Sequence, residues 1–299
     1  MVCVFDAYSQ ASGTKPNVYI DYFNRPDDMS FNEAEQLRNS IMQALKETNR
    51  IDLIDVDSNK AIAIERERRE AGAVADDDPE RLKVMVQEGA NYLIQGRITS
   101  WAVNQSGKKG KEFYDVVVNY NLKMINPNDG KVVNSQSFKV GGGLISEMIS
   151  RDKKVRSKEE ALMDACKEAS YEIEHFIAVA LPLEGKVLDM GKVKKDKVDN
   201  LYVNLGSNIG VKENDIFLIC IQRNIGGEVA NSEIGRVVIA AVEGGNVSLA
   251  KVKKGKKDIY NAINAGQNIV VRYVPKESNV NEKLERIVGR KFIGGRPVK

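Results

Sequence analysis

Histidine is almost missing from this chain of 299 residues; His175 is the only one. A lone imidazole cannot form a multi-histidine metal site, and no neighbouring residue pairs it with a nucleophile. His175 reads as a terminal or half-buried helix residue rather than a catalytic one. Cysteine is scarce and scattered. Cys3, Cys166 and Cys220 cannot all pair internally and share no short spacing, which argues against both a disulfide scaffold and a zinc site. No apolar run reaches the roughly 20 residues of a membrane-crossing helix. Charge of one sign is lacking too: 45 Lys and Arg against 42 Asp and Glu leave only +3, which does not call for nucleic acid. Gly141-Gly142-Gly143 lacks the G-x-x-x-x-G-K-S/T order of a phosphate loop and reads as a flexible exit from a sheet. The expectation is therefore no catalytic, cofactor-binding or metal-binding residues.

What is present is organised around residues 92–139. Tyr114, Val116, Val118, Tyr120, Leu122 and Met124 alternate with Asp115, Val117, Asn119, Asn121 and Lys123, the pattern of a strand with one buried face. Asn126-Pro127-Asn128-Asp129-Gly130 is a reversal signal, so an antiparallel meander is expected. The polar stretch N-Q-S-G-K-K-G-K-E after Val103 reads as a short basic loop.

Helical patterns flank this meander. Ser30 and Glu33 form a capping box before Phe31, Ala34, Leu37, Ile41 and Leu45. A second helix is expected over 59–71, its mixed charges forming a solvated face. Asp76-Asp77-Asp78 could suggest metal ligands, but Asp78 before Pro79 is better explained as a helix N-cap. That helix carries Leu82, Met85 and Val86 and ends at Gly89. Ser157 and Glu160 open a last, long helix with the stripe Ala161, Leu162, Ala165, Cys166, Ala169, Ile173, Phe176 and Ile177. Cys166, within the stripe, is expected to be an inert core thiol. Strands are expected at 17–23 and 51–56.

Beyond Pro182 the chain breaks into short strand-like runs at 186–190, 197–205, 215–222, 235–242, 246–252 and 268–274, enough for a small β-barrel. Glu243-Gly244-Gly245-Asn246 is a hairpin turn, and the lysine cluster at 251–257 reads as a solvated loop. The fold class expected is α+β, an α/β-like N-terminal sheet with packed helices, followed by a small all-β SH3-like barrel. The domain reading is a signal remnant or flexible terminus at 1–16, an α/β domain at 17–181, the barrel at 185–274 and a basic tail at 275–299. Ala7-Tyr8-Ser9 after an apolar start suggests cleavage after Ser9.

The segments V-Y-I-D-Y-F, E-A-E-Q-L-R-N-S-I-M-Q-A-L, I-D-L-I-D-V and E-G-A-N-Y-L-I-Q-G-R-I-T at 88–99, with the N-P-N-D-G-K turn, resemble the CsgG/TolB-amino-terminal-like family of bacterial envelope proteins. V-N-L-G-S-N-I-G-V-K-E-N-D at 203–215 resembles the small barrel of flagellar assembly accessory proteins, with Asn214 where glycine is usual. The resemblance implies a non-catalytic envelope assembly or transport accessory protein, curli-related among others, in the periplasm or at the outer membrane. Its partner would be an envelope protein or another copy of itself, or a peripheral membrane or peptidoglycan-associated complex. Two alternatives stand beside it: a structural subunit of a homo-oligomeric envelope ring, and a small-ligand sensor or enzyme with a cryptic site. The candidate partner contacts are Trp101, Lys108, Lys109 and Tyr114, around the 104–111 segment.

Overall fold

A computed structural model describes residues 15–55, 79–108, 111–142, 156–275, 292–293 and 296–297. The expected cleavage site near Ser9, the helix at 59–71, Asp76-Asp77-Asp78, Lys109, Gly143 and most of the basic tail lie outside the described residues. The chain divides into two compact units. One contains Pro16–Glu47 and Asp52–Phe176; the other contains Thr48–Ile51 and Ile177–Lys276.

The first is an α+β unit. Its elements are β1 (Asn17–Ile20), α1 (Phe31–Glu47), β2 (Asp52–Asp55), α2 (Pro79–Gln87), β3 (Tyr92–Lys108), β4 (Lys111–Ile125), β5 (Val132–Val140) and, as far as Phe176, α3 (Lys158–Ala180). The strands form one sheet in the order β2-β1-β3-β4-β5. β1 runs parallel to β2 and β3, and β3, β4 and β5 form the antiparallel meander. The chain steps outward from β1 to β2 and then back past β1 to β3. Right-handed crossovers in those two directions place their helices on opposite faces. Leu82 and Met85 of α2 accordingly pack on Tyr19 and Leu93; α1 lies on the other face beside α3, whose Lys158 pairs with Glu33 and whose Phe176 meets Phe138 edge-on, 6.1 Å away.

Both capping boxes form. The Ser30 N–H donates to the Glu33 carboxylate (2.8 Å) and the Glu33 N–H to Ser30 Oγ (3.3 Å). Ser157 and Glu160 repeat the exchange at 3.1 Å in each direction. α2 ends in a Schellman turn: Gly89 has φ +85°, its N–H reaches Val86 O, and the Ala90 N–H reaches Met85 O. Val116, Val118, Tyr120, Leu122 and Met124 are all buried, as the alternation predicts, while Tyr114, the first of the set, is half-buried. So is the whole α3 stripe from Ala161 to Ile177. Phe31 departs from the expected α1 stripe. It is the first helical residue and half exposed, its ring 5.8 Å from that of Tyr22.

The expected loop after Val103 is a correction. β3 and β4 stay in register through Lys108↔Lys111, so most of the polar stretch is a strand arm. Cross-strand pairing overrides the weak strand propensity of Asn, Gly and Lys there. Nor is the exit after β5 a loose one. Gly141 has φ +76°, and a Cβ at that position would stand 1.8 Å from Val116 O. Its N–H is held by Glu168 at 2.7 Å.

The second unit is a small antiparallel barrel. Its strands are β6 (Glu184–Gly185), β7 (Val187–Met190), β8 (Val193–Lys194), β9 (Lys197–Val198), β10 (Asn200–Val203), β11 (Ile216–Ile225), β12 (Glu228–Val242), β13 (Ser248–Lys254) and β14 (Ile269–Tyr273). Seven of them form a nearly closed sheet in the order β6-β14-β11-β12-β13-β10-β7. Leu201, Val203, Phe217, Ile219, Val237, Ile239 and Val271 fill its interior. Asn214 holds φ +68°, a left-handed geometry that Asn tolerates in place of glycine. The lysine cluster is a second correction. It runs along β13 and into a helix, α4 (Lys256–Asn264), which buries Ile259 and Ala262. Within the tail, β15 (Phe292–Ile293) and β16 (Arg296–Pro297) pair with each other.

Candidate protein-contact site

The arm formed by β3 and β4 carries most of the residues singled out from the sequence. Trp101 and Tyr114 lie on one face of it, opposite Val118 and Gln105 respectively. The Val103–Val116 pair stands between them, so the two rings share a face without forming one cluster. Lys108 ends β3 opposite Lys111.

A β-bulge sets this arrangement. Ile98 pairs with Tyr120 and Ser100 with Asn119, leaving Thr99 as the extra residue. Strict alternation would have put Trp101 on the face opposite Ile98. The bulge instead puts Trp101 on the same face as Ile98, across from Val118. No period in I-T-S-W-A-V announces the bulge, so sequence patterning could not have placed the indole.

Lys158, the first residue of α3, is poised over Trp101, with Nζ 4.8 Å from the ring. The same ammonium pairs with Glu33 at 2.6 Å, joining the N-termini of α1 and α3. Partial burial pushes the Glu33 carboxyl up, but its bonds to Lys158 and Ser30 outweigh that and hold it below the ordinary value. Trp101 is thus part of a fixed junction, not a loose side chain on a loop tip.

Arg156 borders the arm on its β4 side. Its backbone bridges to β4: the Tyr114 N–H donates to Arg156 O (3.0 Å) and the Arg156 N–H to Glu112 O (3.2 Å). The guanidinium is 3% exposed; it pairs with Asp164 at 2.9 Å and Asp115 at 3.9 Å, and lies 5.4 Å from the centre of the Phe113 ring. Arg156 therefore covers one edge of the arm. Sequence reading passed over it, because nothing in V-R-S-K marks a residue whose partners are 41 and 8 positions away.

The opposite face of the sheet carries an open cleft of about 580 Å³, lined by Asn24, Gln95, Gly96, Arg97, Thr99, Asn121, Lys123 and Ser137. These described lining residues are polar, and none is a carboxylate, histidine or cysteine. Elsewhere, Cys166 is buried and its thiol is pushed up to about 12 by that burial, so it stays protonated and inert. His175 is half-buried, its Nδ1 without a hydrogen-bond partner among the described residues. No group of three or more His, Cys, Asp and Glu placed to hold a metal ion occurs among the described residues. None of the described helices is long and apolar enough to cross a membrane.

Residues 6–140 match the family described as peptidoglycan-synthase activator LpoB. The match takes in the sheet from β1 to β5 and covers just under half of the chain. A search of curated proteins returns no match. Among solved structures, the PelC dodecamer of Paraburkholderia phytofirmans is similar at 13% identity over 56% of this chain and 86% of that one, with a TM-score of 0.34. Lipoprotein GNA1162 of Neisseria meningitidis gives 15% identity over 46% and 94%, at 0.31. The C-terminal domain of Escherichia coli LpoB gives 16% over 44% and 87%, at 0.25. These likenesses are partial, and at such scores none of them fixes a function for this chain.

Proposed function

We propose that this protein is a non-catalytic accessory of cell-envelope assembly or transport, in the periplasm or at the outer membrane, acting through protein–protein contacts. The observation that carries this reading is the match of residues 6–140 to the peptidoglycan-synthase activator LpoB. The resemblance of the same region to CsgG/TolB-amino-terminal-like proteins, and of the barrel to flagellar accessory proteins, points the same way. The partner is an envelope protein, with a peptidoglycan synthase the first to test. Its contact surface includes the arm face bearing Trp101 and Tyr114, together with Lys108 and Lys109.

The chemistry of the described surface supports a binding role. The cleft on the sheet brings amides, hydroxyls and cations together without a described general base, and catalysis needs a convergent constellation. The test is to mix the purified protein with a peptidoglycan synthase from the same cell, and to measure both complex formation and the rate of glycan polymerisation. Fractionation of the native cell runs in parallel. Envelope recovery with a faster synthase, and loss of both binding and stimulation in Tyr114→Ala, is the expected result. A protein confined to the cytosol that neither binds nor stimulates the enzyme would sink the proposal.

A further inference from the structure

The two edges of the β3–β4 arm are treated differently. The β4 edge is covered where Arg156 bridges to Glu112 and Tyr114. The β3 edge pairs with β1 only at Tyr92, Leu93 and Ile94, and Asn24 then bridges it at Gly96 and Ile98. From Thr99 to Lys108 no described residue pairs with it, although from Ser100 on β3 stays in register with β4. An edge of this kind presents a row of backbone donors and acceptors to any strand that can lie beside it. The usual guards are few: the bulge sits only at its start, no proline interrupts it, and Lys108 at its end is the one charged residue.

We propose that a second copy of this chain occupies that edge, pairing β3 with β3 antiparallel about a two-fold axis near Val103. The side-chain period decides the register. Opposed residues must share a face, so the axis has to pass through a residue and not between two. Centring on Val103 pairs the regular stretch beyond the bulge, Ser100 to Ser106, within the open segment. It sets Val103 against Val103 and Trp101 against Gln105 on one face, and Ala102 against Asn104 on the other. Lys108 then lies outside the paired stretch and away from its own mate. No like charges oppose each other along this ladder, whereas a strand richer in charge would carry mismatches. The contact is isologous and closes as a dimer, unlike the head-to-tail contacts that build rings. It holds whether or not the envelope role does.

The test uses the full chain with Cys3→Ser, since Cys166 and Cys220 are buried. Two paired strands bring opposed Cα atoms to about 4.5–5.5 Å, within disulfide reach. Val103→Cys should therefore oxidise to a covalent dimer at least 10-fold faster than Ser135→Cys on β5. Light scattering should give twice the 33.2 kDa chain mass for the parent protein at micromolar concentration. The pair Ala102→Lys with Asn104→Lys sets lysine against lysine on an exposed face and should raise the dimer dissociation constant at least 10-fold, with the same thermal melt as the parent when both are diluted to monomers. A monomer at every concentration overturns the proposal. So does a dimer that survives the double lysine change, or one in which Val103→Cys crosslinks no faster than the control.

Discussion

Each unit projects a β-hairpin beyond its own sheet, and the two hairpins differ in what flanks them. In the barrel, β11 and β12 run on from Gln222 to a tip at Gly226-Gly227, both with positive φ, the geometry of a tight two-residue hairpin turn. Ile225 and Val229 beside that turn are each 63% exposed. In the sheet unit the arm is bordered by the buried Arg156 on one side, and by the Lys158–Glu33 junction over Trp101. One hairpin is a ribbon outside a nearly closed barrel; the other is an arm braced by buried charge. The contrast teaches that hairpin length says little about rigidity. What matters is whether side chains from other elements are fixed against the arm.

The largest effects should come from glycines that anchor each unit. Gly141 and Gly255 have φ +76° and +80°, and added Cβ atoms would stand 1.8 Å from Val116 O and 1.9 Å from Ile234 O respectively. Replacing either by Ala combines a left-handed backbone with a main-chain clash and should cost more than about 3 kcal/mol. Urea unfolding followed by hydrogen exchange should show Gly141→Ala loosening the sheet unit and Gly255→Ala loosening the barrel. If either change loosened both units equally, the division into separately stabilised units would fail.

Next comes Arg156→Met, which removes a guanidinium and leaves Asp164 without its closest cation. Breaking a buried pair in this way costs about 3 kcal/mol or more. Amide exchange at Tyr114 should rise by at least 100-fold, because its acceptor, Arg156 O, loses the side-chain anchor that holds it. An unchanged rate would mean that the brace is only backbone. Smaller again are the caps. Ser30→Ala and Ser157→Ala should each lower stability by about 1 kcal/mol, read from the midpoint of chemical denaturation.

The contrast between the hairpins also separates what the sequence shows from what it hides. Both capping boxes, the Asn126–Gly130 turn, the β4 alternation and the α3 stripe were legible because each is written in neighbouring residues. The polar half of the arm was not. Asn104, Gln105, Ser106 and Gly107 have poor strand propensity, and only pairing with 112–115 holds them extended. α4 was hidden for a related reason: its two buried residues, Ile259 and Ala262, make too short a stripe to reveal a period. At the contact site, Trp101 and Tyr114 could be chosen as the aromatics that flank the polar stretch, and both are half-buried. Their placement depends on the Thr99 bulge and on Lys158, Glu33 and Arg156, which are distant in the chain.

The smallest expected effect isolates the charge in the brace. Glu33→Gln keeps the capping box, since Gln serves at that position, and removes only the negative partner of Lys158. The Glu33 carboxyl titrates below its ordinary value in the folded state, because its bonds to Lys158 and Ser30 outweigh the effect of burial. A depressed folded value means that the charged form stabilises the fold. The contribution is complete above the unfolded glutamate value, near about 4.3, and is lost as pH falls through the lower folded value. Lys158 is 39% exposed, so the pair is worth no more than about 1 kcal/mol. Parent and variant should differ by that amount in thermal stability at pH 7 and converge toward pH 3. Trp101, the only tryptophan, provides a local readout, because its fluorescence should shift as the ammonium above it is released. A difference that stays constant from pH 7 to 3 would show that the brace is made by packing and not by charge.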